Sequence, residues 1–179
     1  MTSRRRIAVV AGFLLLVACD PPEPKPDPPT CTILAGNAVE VPLLPECADT
    51  LPSMDPDSFE RLLAQLEGTP VLVNFWGSWC PPCKEEMPRL VTAHREFGDR
   101  VQFLGVDIID AREDATAFME EYGMTFPSVF DPPDVIKTSL GQFGQPTTVF
   151  FRSDGTFEFA YAGPIPEDLL RRHLQRISG

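Results

Sequence analysis

Two cysteines, Cys80 and Cys83, follow closely after an apolar run, Val71–Trp76, that predicts a buried β-strand. The next segment, Glu85–Val91, predicts the first turns of a helix. The pair therefore lies where a strand passes into a helix, and the helix dipole and free N–H groups there stabilise an anion. This position favours ionisation of Cys80 to the reactive thiolate. We expect Cys80 to be exposed and to attack a disulfide, and Cys83 to be buried one turn further and to resolve the intermediate.

The cysteine pair has two other interpretations. A Cys-x-x-Cys pair forms half of many zinc sites, but no second such pair follows, and His94 and His173 lie far apart with no cysteine nearby. A structural disulfide without chemistry is the second alternative. Trp79, Pro81 and Pro82 argue against it, because they form an accessible, rigid turn beside the sulfur. We therefore expect a redox-active dithiol and no metal.

The apolar periodicity and the turn signals predict alternating strands and helices. Asp55 before Pro56 indicates a helix start, and Ser153–Gly155 indicates a hairpin turn. Strand–helix–strand succession implies right-handed crossovers and parallel pairing. The result is an α/β domain with a central mixed sheet covered by helices on both faces. The expected strands are Val71–Trp76, Val101–Val106, Thr147–Arg152 and Phe157–Ala162, and the expected helices begin at Pro56 and span Cys80–Phe97, Ala111–Tyr122, Asp134–Phe143 and Pro166–Ile177.

The segment Phe75–Pro88, with the sequence FWGSWCPPCKEEMP, resembles the active-site segment of thioredoxin-like proteins, in particular of the membrane-anchored TlpA/ResA/CcmG (DsbE) group. The resemblance extends from about Pro52 to Gly179. It implies a thioredoxin fold with a strand–helix insertion, over about residues 107–143, and an N-terminal extension. Asn74 stands where cytosolic thioredoxins carry a buried aspartate, as is common in this group. Because an amide does not titrate, we expect Asn74 to be a hydrogen-bonded core residue.

The resemblance also implies roles for residues around the dithiol. Glu86 matches the group's active-site glutamate and would relay a proton to and from Cys83; the alternative is a solvated acid that complements the helix dipole. Gln145 and Pro146 match the segment that holds a cis-proline facing the dithiol, so the Gln145 main chain would pair with an extended substrate. Apart from the resemblance, the position of Trp79 beside Cys80 predicts an exposed apolar platform where partners dock; the alternative is a half-buried surface tryptophan. The expected substrate-binding residues are Trp79, Pro81, Pro82, Gln145 and Pro146.

The N-terminus predicts export and a lipid anchor. Arg4–Arg6 precede the uncharged run Ile7–Ala18, which has the size of a signal-peptide core and is too short to span a membrane. Leu16–Cys19 resembles a bacterial lipoprotein processing box, so residues 1–18 would be removed and Cys19 would carry the lipid. The alternatives are an ordinary signal peptide and an uncleaved short anchor. All of these interpretations place the domain outside the cytoplasm, and the lipoprotein interpretation places it at the extracytoplasmic face of the cell membrane.

Three segments are expected after the signal peptide. Residues 19–30 are rich in proline and predict an extended polyproline II linker. Residues 31–52 form an N-terminal extension that could pack on the core, and residues 53–179 form the thioredoxin-like domain. Cys31 and Cys47 are an even pair in an oxidising compartment and predict a structural disulfide. The alternative is that one of them is an extra reactive thiol.

The charge of the chain disfavours some partners. The formal net charge is −11, and removal of residues 1–18, which hold three Arg and no acidic residue, leaves −14. Such an acidic chain disfavours binding to nucleic acid and adhesion to anionic lipid. Separately from the charge, we expect a monomer without a cofactor that acts on protein disulfides.

The expected function is a membrane-anchored thiol:disulfide reductase that receives electrons from a membrane thiol donor. By resemblance, its client would be apocytochrome c or a related haem or copper maturation factor. Two alternatives stay open, namely an oxidase that introduces disulfides and a chaperone that binds a soft metal such as Cu(I) through Cys80 and Cys83. A peroxidase of the peroxiredoxin type is disfavoured, because that group needs a threonine three residues before its cysteine, where this chain has Gly77.

Overall fold

A five-stranded mixed sheet forms the centre of the structure. The structure is a computed structural model, and it describes residue 44 and residues 50–179. The strands are β1 (Val71–Trp76), β2 (Gln102–Ile108), β3 (Ser128–Asp131), β4 (Thr147–Phe151) and β5 (Phe157–Ala162). Their order across the sheet is β3-β2-β1-β4-β5. β1 pairs in parallel with β2 and β2 with β3, whereas β4 runs antiparallel to both β1 and β5. The predicted mixed sheet is confirmed.

Helices cover both faces of this sheet, as expected. They are α1 (Pro56–Gln65), α2 (Pro81–Phe97), α3 (Arg112–Tyr122), α4 (Val135–Ser139) and α5 (Glu167–Ile177). One apolar cluster joins the sheet to α2, α3 and α5, and a second joins it to α1 and α4. All six residues of β1 are buried, because this strand is central and covered on both sides.

The helix ends follow local signals in the sequence. Asp55 Oδ1 accepts a hydrogen bond from Ser58 N at 2.8 Å, and Pro56 occupies the first helical position of α1. Gly123, with φ of 58°, terminates α3 in the left-handed conformation. The prediction for α4 is too long, because this helix ends at Ser139 and Gly141 and Gly144 follow with positive φ.

Strand β3 is absent from the sequence-based list of strands. It has only four residues and lies between Pro127 and the Pro132–Pro133 pair, so the turn signals hide it. The strand extends the parallel part of the sheet beyond β2, and an isolated bridge between Ser53 and Phe130 adds chain to its outer edge.

Two residues before the first helix are part of the packed interior. Leu51 belongs to the cluster beneath α2, α3 and α5, and Leu44 belongs to the opposite cluster. Cys19, Cys31 and Cys47 lie outside the described residues, as do the predicted signal peptide and the predicted proline-rich linker. Within residues 50–179, no helix is long and apolar enough to cross a membrane.

Candidate active site

Cys80 and Cys83 form a disulfide at the N-terminus of α2, with their Cα atoms 5.3 Å apart. Cys80 is the N-cap residue, and its Sγ accepts a hydrogen bond from the Cys83 N–H at 3.3 Å. The sulfur of Cys80 thus faces an N–H group of the first helical turn, as the strand-to-helix position predicts. The expected exposure of Cys80 is wrong, because the residue is only 2 % exposed and Cys83 is 0 % exposed.

The loop before Cys80 is tied to the end of β2. Ser78 donates from its N–H and its hydroxyl to the two carboxyl oxygens of Asp110, at 2.5 and 2.9 Å. The Trp79 indole N–H donates to the Ile108 carbonyl at 3.3 Å, while the residue stays 50 % exposed. A Cβ on Gly77 would lie 2.7 Å from the Trp79 Nε1, so a larger residue there would displace this indole. The loop therefore presents Trp79 at the surface beside the dithiol.

Pro81 and Pro82 are the first two residues of α2. Their missing N–H groups cost nothing here, because the first N–H groups of a helix have no partner within the helix. The N–H groups of Cys83 and Lys84 both bond to the Cys80 carbonyl, at 3.1 and 3.2 Å. The two prolines therefore stiffen the turn between the sulfurs without weakening the helix.

Glu86 is fully buried one turn after Cys83. Its Oε1 accepts from Asn74 Nδ2 at 2.7 Å, and its Oε2 accepts from the Ile165 N–H at 2.9 Å. Burial raises the pKa of Glu86 to about 7, against the opposing effect of these two hydrogen bonds. The alternative of a solvated first-turn acid is wrong, because Glu86 contacts the core. Asn74 is the hydrogen-bonded core residue that we expected.

The segment before β4 faces the dithiol from the opposite side. The Gln145–Pro146 peptide bond is cis, as the resemblance implies. Gln145 Nε2 lies 3.5 Å from Cys83 Sγ and 3.4 Å from the Phe75 carbonyl oxygen. The fold thus brings Gln145 to Cys83 from 62 positions further along the chain.

Sequence reasoning assigned no role to three polar residues near this site. Lys137 Nζ donates to Gln145 Oε1 at 3.3 Å, and Asp110 holds Ser78. Asp107 is fully buried at the end of β2, where burial and the nearby Asp110 carboxylate raise its pKa to about 9. One feature of the sequence could have pointed to Asp107. It is an acidic residue that comes directly after the apolar residues Leu104–Val106 of a predicted strand.

The two histidines lie elsewhere in the fold. His94 Nδ1 is 2.7 Å from Thr125 Oγ1, and His173 Nδ1 is 2.8 Å from Glu158 Oε2. Among the described residues, no three His, Cys, Asp or Glu side chains are grouped in a way that could hold a metal ion.

A close, helix-capping cysteine pair with a buried carboxyl and an opposing cis-proline is an arrangement for thiol–disulfide exchange. Residues 50–160 match the AhpC/TSA family. The chain belongs to this family. It is a thiol-disulfide oxidoreductase of the ResA and DsbE type.

The chain is similar to curated proteins that are named for thiol–disulfide chemistry. The thiol-disulfide oxidoreductase ResA of Geobacillus thermodenitrificans is 31 % identical over 126 residues, which cover 69 % of this chain and 71 % of the relative. The thiol:disulfide interchange protein DsbE of Allochromatium vinosum is 34 % identical over 113 residues, which cover 63 % of this chain and 61 % of the relative. The expected membership in the ResA and DsbE group is therefore confirmed.

Solved structures agree with the fold. A secreted disulfide oxidoreductase of Mycobacterium tuberculosis, homologous to E. coli DsbE, gives a TM-score of 0.58 at 28 % identity and covers 63 % of this chain and 85 % of that chain. A secreted thiol-disulfide isomerase from Corynebacterium glutamicum gives a TM-score of 0.60 at 26 % identity, with 65 % and 74 % covered. The α/β thioredoxin fold of the described residues is confirmed.

Proposed function

We propose that this oxidoreductase works as a reductase that is anchored by lipid at the extracytoplasmic face of the membrane. The observation that carries the proposed exchange chemistry is the buried Glu86, which lies one helical turn after Cys83 and has a pKa of about 7. A carboxyl that titrates near neutral pH is suited to accept and return a thiol proton. The Cys80–Cys83 disulfide is then the product of one turnover.

The exchange proceeds through two sulfur transfers. The Cys80 thiolate attacks a client disulfide, forms a mixed disulfide and releases one client sulfur as a thiolate. Cys83 loses its proton to Glu86, and its thiolate attacks the Cys80 sulfur. The Cys80–Cys83 bond forms, the bond between Cys80 and the client breaks, and the client leaves with two additional electrons. A membrane thiol donor then returns two electrons to the Cys80–Cys83 disulfide.

The client would dock across the exposed surface around the dithiol. Trp79 supplies an apolar platform, and the prolines at 81 and 82 keep the approach rigid. The Gln145 main chain would pair with an extended client segment. Pro146 has no N–H and so leaves the sulfur free of a main-chain donor at that position.

The cellular setting of this proposal comes from the N-terminal sequence. Cys19 would carry the lipid, residues 19–30 would hold the domain away from the membrane, and Cys31 and Cys47 would form a disulfide in that oxidising compartment. Cytochrome c maturation is the proposed process, with apocytochrome c as the client. We propose that the protein acts as a monomer.

The reduction potential of the Cys80–Cys83 couple tests the direction of electron flow. The protein is equilibrated with glutathione buffers, quenched with acid and alkylated. Mass spectrometry of the peptide that contains both cysteines then gives the oxidised fraction. A reductase requires a potential towards the thioredoxin end, about −270 mV, whereas a value near that of DsbA, about −120 mV, would favour the oxidase instead. Tight binding of Cu(I) by the reduced dithiol would favour the metallochaperone.

The order of attack is tested with a matched pair of variants. Cys83→Ser should trap a mixed disulfide between Cys80 and the client, because no second thiol is present to release it. Cys80→Ser should trap none and should reduce no model disulfide. An adduct found on Cys83 by mass spectrometry would reverse the two roles.

The anchor is tested at Cys19. Cys19→Ala should release the protein from the membrane fraction or prevent removal of residues 1–18. An unchanged membrane fraction with an unmodified N-terminus would exclude the lipoprotein interpretation.

A further inference from the structure

Lys137 is buried on α4, with 7 % of its side chain exposed. Lysine is rarely buried unless it is paired, and this ammonium has two oxygen partners. Its Nζ lies 2.9 Å from Asp134 Oδ2 and 3.3 Å from Gln145 Oε1. The lysine thus connects α4 to the segment that holds the cis-proline.

The neighbours of Gln145 decide how its amide is oriented. An ammonium can only donate a hydrogen bond, and a main-chain carbonyl can only accept one. Gln145 Oε1 must therefore face Lys137, and Nε2 must face the Phe75 carbonyl. The same Nε2 lies 3.5 Å from Cys83 Sγ. A reversed amide would place its NH₂ group against the Lys137 ammonium and its oxygen against the Phe75 carbonyl oxygen. Lys137 therefore keeps the amide donor directed at the Cys83 sulfur.

A donor at this position matters because Cys83 is fully buried. The low dielectric of the core disfavours a thiolate, whereas a hydrogen bond to the charged form and a nearby positive charge both favour it. We propose that Lys137 is a positioning residue for the second sulfur transfer, in which it orients and polarises the Gln145 amide so that the amide stabilises a thiolate on Cys83. The inference rests on the role of Cys83 as the second thiol in the proposed function.

The chemical step is the attack of Cys83 on the mixed disulfide. The Cys83 thiolate forms a bond to the Cys80 sulfur, and the client sulfur leaves with the electron pair of the broken bond. The proton lost from Cys83 goes to Glu86. Three acidic groups also act on this region, namely Glu86 on α2, Asp134 before α4 and Asp131 at the end of β3, which accepts from the first N–H groups of α4. Asp134 therefore opposes the effect of Lys137 on the sulfur.

Two single variants separate this electrostatic role from a structural one. Lys137→Met and Asp134→Asn break the same ion pair, so loss of structure alone would move both in one direction. An electrostatic effect on the Cys83 thiolate would instead have opposite signs in the two variants, because one removes a positive charge and the other a negative charge. In a Cys80→Ser background, we expect the acid dissociation constant of Cys83 to fall about three- to tenfold in Lys137→Met and to rise in Asp134→Asn.

Thiolate absorbance near 240 nm measures that constant without requiring access to the buried sulfur. The full chain is used, and the spectrum of Cys80→Ser/Cys83→Ser is subtracted at each pH, which cancels the other cysteines. The double variant Lys137→Met/Asp134→Asn leaves no unpaired charge and should lie between the two single variants, so the test survives if one of those folds poorly. Gln145→Leu should remove most of the response to Lys137→Met.

Lys84→Met is the matched control, because it removes the same charge from an exposed lysine next to Cys83 in sequence. It should change the acid dissociation constant of Cys83 less than about twofold, because solvent and salt screen an exposed charge. Shifts of Lys137→Met and Asp134→Asn in the same direction, or a Lys137→Met shift no larger than the control, would overturn the inference. These readouts are independent of the client and of the direction of electron flow, so an oxidising potential would defeat the proposed reductase but not this inference.

Discussion

Glu86 and Asp107 are both fully buried carboxyls, but their surroundings differ. Glu86 lies behind the dithiol, where each of its oxygens accepts a hydrogen bond from a neutral donor. Asp107 lies at the end of β2, and neither of its oxygens has a hydrogen-bond donor among the described residues. After burial, the Asp110 carboxylate has the largest effect on Asp107 and raises its pKa further.

The comparison shows that hydrogen-bond donors decide whether a buried carboxyl titrates near neutral pH. Burial raises both pKa values, to about 7 for Glu86 and about 9 for Asp107. The hydrogen bonds to Glu86 favour its charged form and keep its titration near neutral pH, where it is useful for proton transfer. Asp107 lacks such donors and stays protonated at neutral pH. Only the first carboxyl is therefore suited to exchange protons with a thiol.

The largest expected effect is on stability and comes from Asp107→Asn. The folded pKa of Asp107 lies above the unfolded value of 3.8, so the folded state holds a proton that the unfolded state loses. The free energy of unfolding should therefore fall as pH rises from about 4 to about 9. An asparagine side chain has no proton to lose in this range, and at pH 7 the variant should be more stable by on the order of 4 kcal/mol.

Denaturant unfolding at pH 4.5, 6 and 7.5, with the disulfide intact, measures this difference. Asp99→Asn is the control, because Asp99 is exposed and should leave the pH dependence unchanged. If wild type and Asp107→Asn have the same dependence on pH, Asp107 is ionised in the folded state and the contrast with Glu86 disappears.

Glu86→Gln should lower the rate of thiol–disulfide exchange about 100-fold, because general acid–base catalysis contributes at least that much. The inflection near pH 7 in the rate profile should also vanish, since Gln does not titrate. Rates with a small disulfide from pH 5 to 9 provide the measurement. Glu85→Gln, an exposed neighbour on the same helix, should keep the wild-type profile. A uniform change below about threefold in Glu86→Gln, with no change in profile, would exclude the relay.

Asn74→Leu should shift the pKa of Glu86 upward by about one unit, because it removes a donor to the charged carboxylate. The Glu86 carboxyl resonance, followed by NMR as pH is raised, gives this value directly. Thr148→Val is the matched control, since it removes the acceptor on the far side of Asn74 and leaves the Asn74–Glu86 hydrogen bond in place. Equal shifts in both variants would mean that general repacking, and not the donor, sets the pKa.

The smallest expected effect comes from Asp110→Asn. Removal of the Asp110 charge should lower the pKa of Asp107 by about one unit or less, and the pH dependence of stability should become correspondingly weaker. The same change weakens the hydrogen bonds from Ser78, so Trp79 should become more mobile in fluorescence anisotropy. An unaltered pH dependence would show that burial alone raises the pKa of Asp107.

Local sequence signals account for most of the fold. The apolar run Val71–Trp76, the Asp55–Pro56 helix start and the dithiol all determine short-range structure, and the structure contains them at the expected positions. The resemblance to thioredoxin-like proteins supplied the cis bond before Pro146, which spacing in sequence does not reveal. The short strand β3 was missed because prolines border it on both sides.

Long-range packing decided the properties of the site. Whether Glu86 is solvated or buried depends on Asn74 from β1 and on the Ile165 N–H, which lies 79 positions away. The burial of Cys80 and the path from Lys137 through Gln145 to Cys83 likewise depend on segments that are distant in sequence. Residue type and spacing determine which groups can ionise and where helices begin, because those effects act within a few residues. Burial and hydrogen-bond partners set the pKa of a carboxyl, and only the folded chain brings them together.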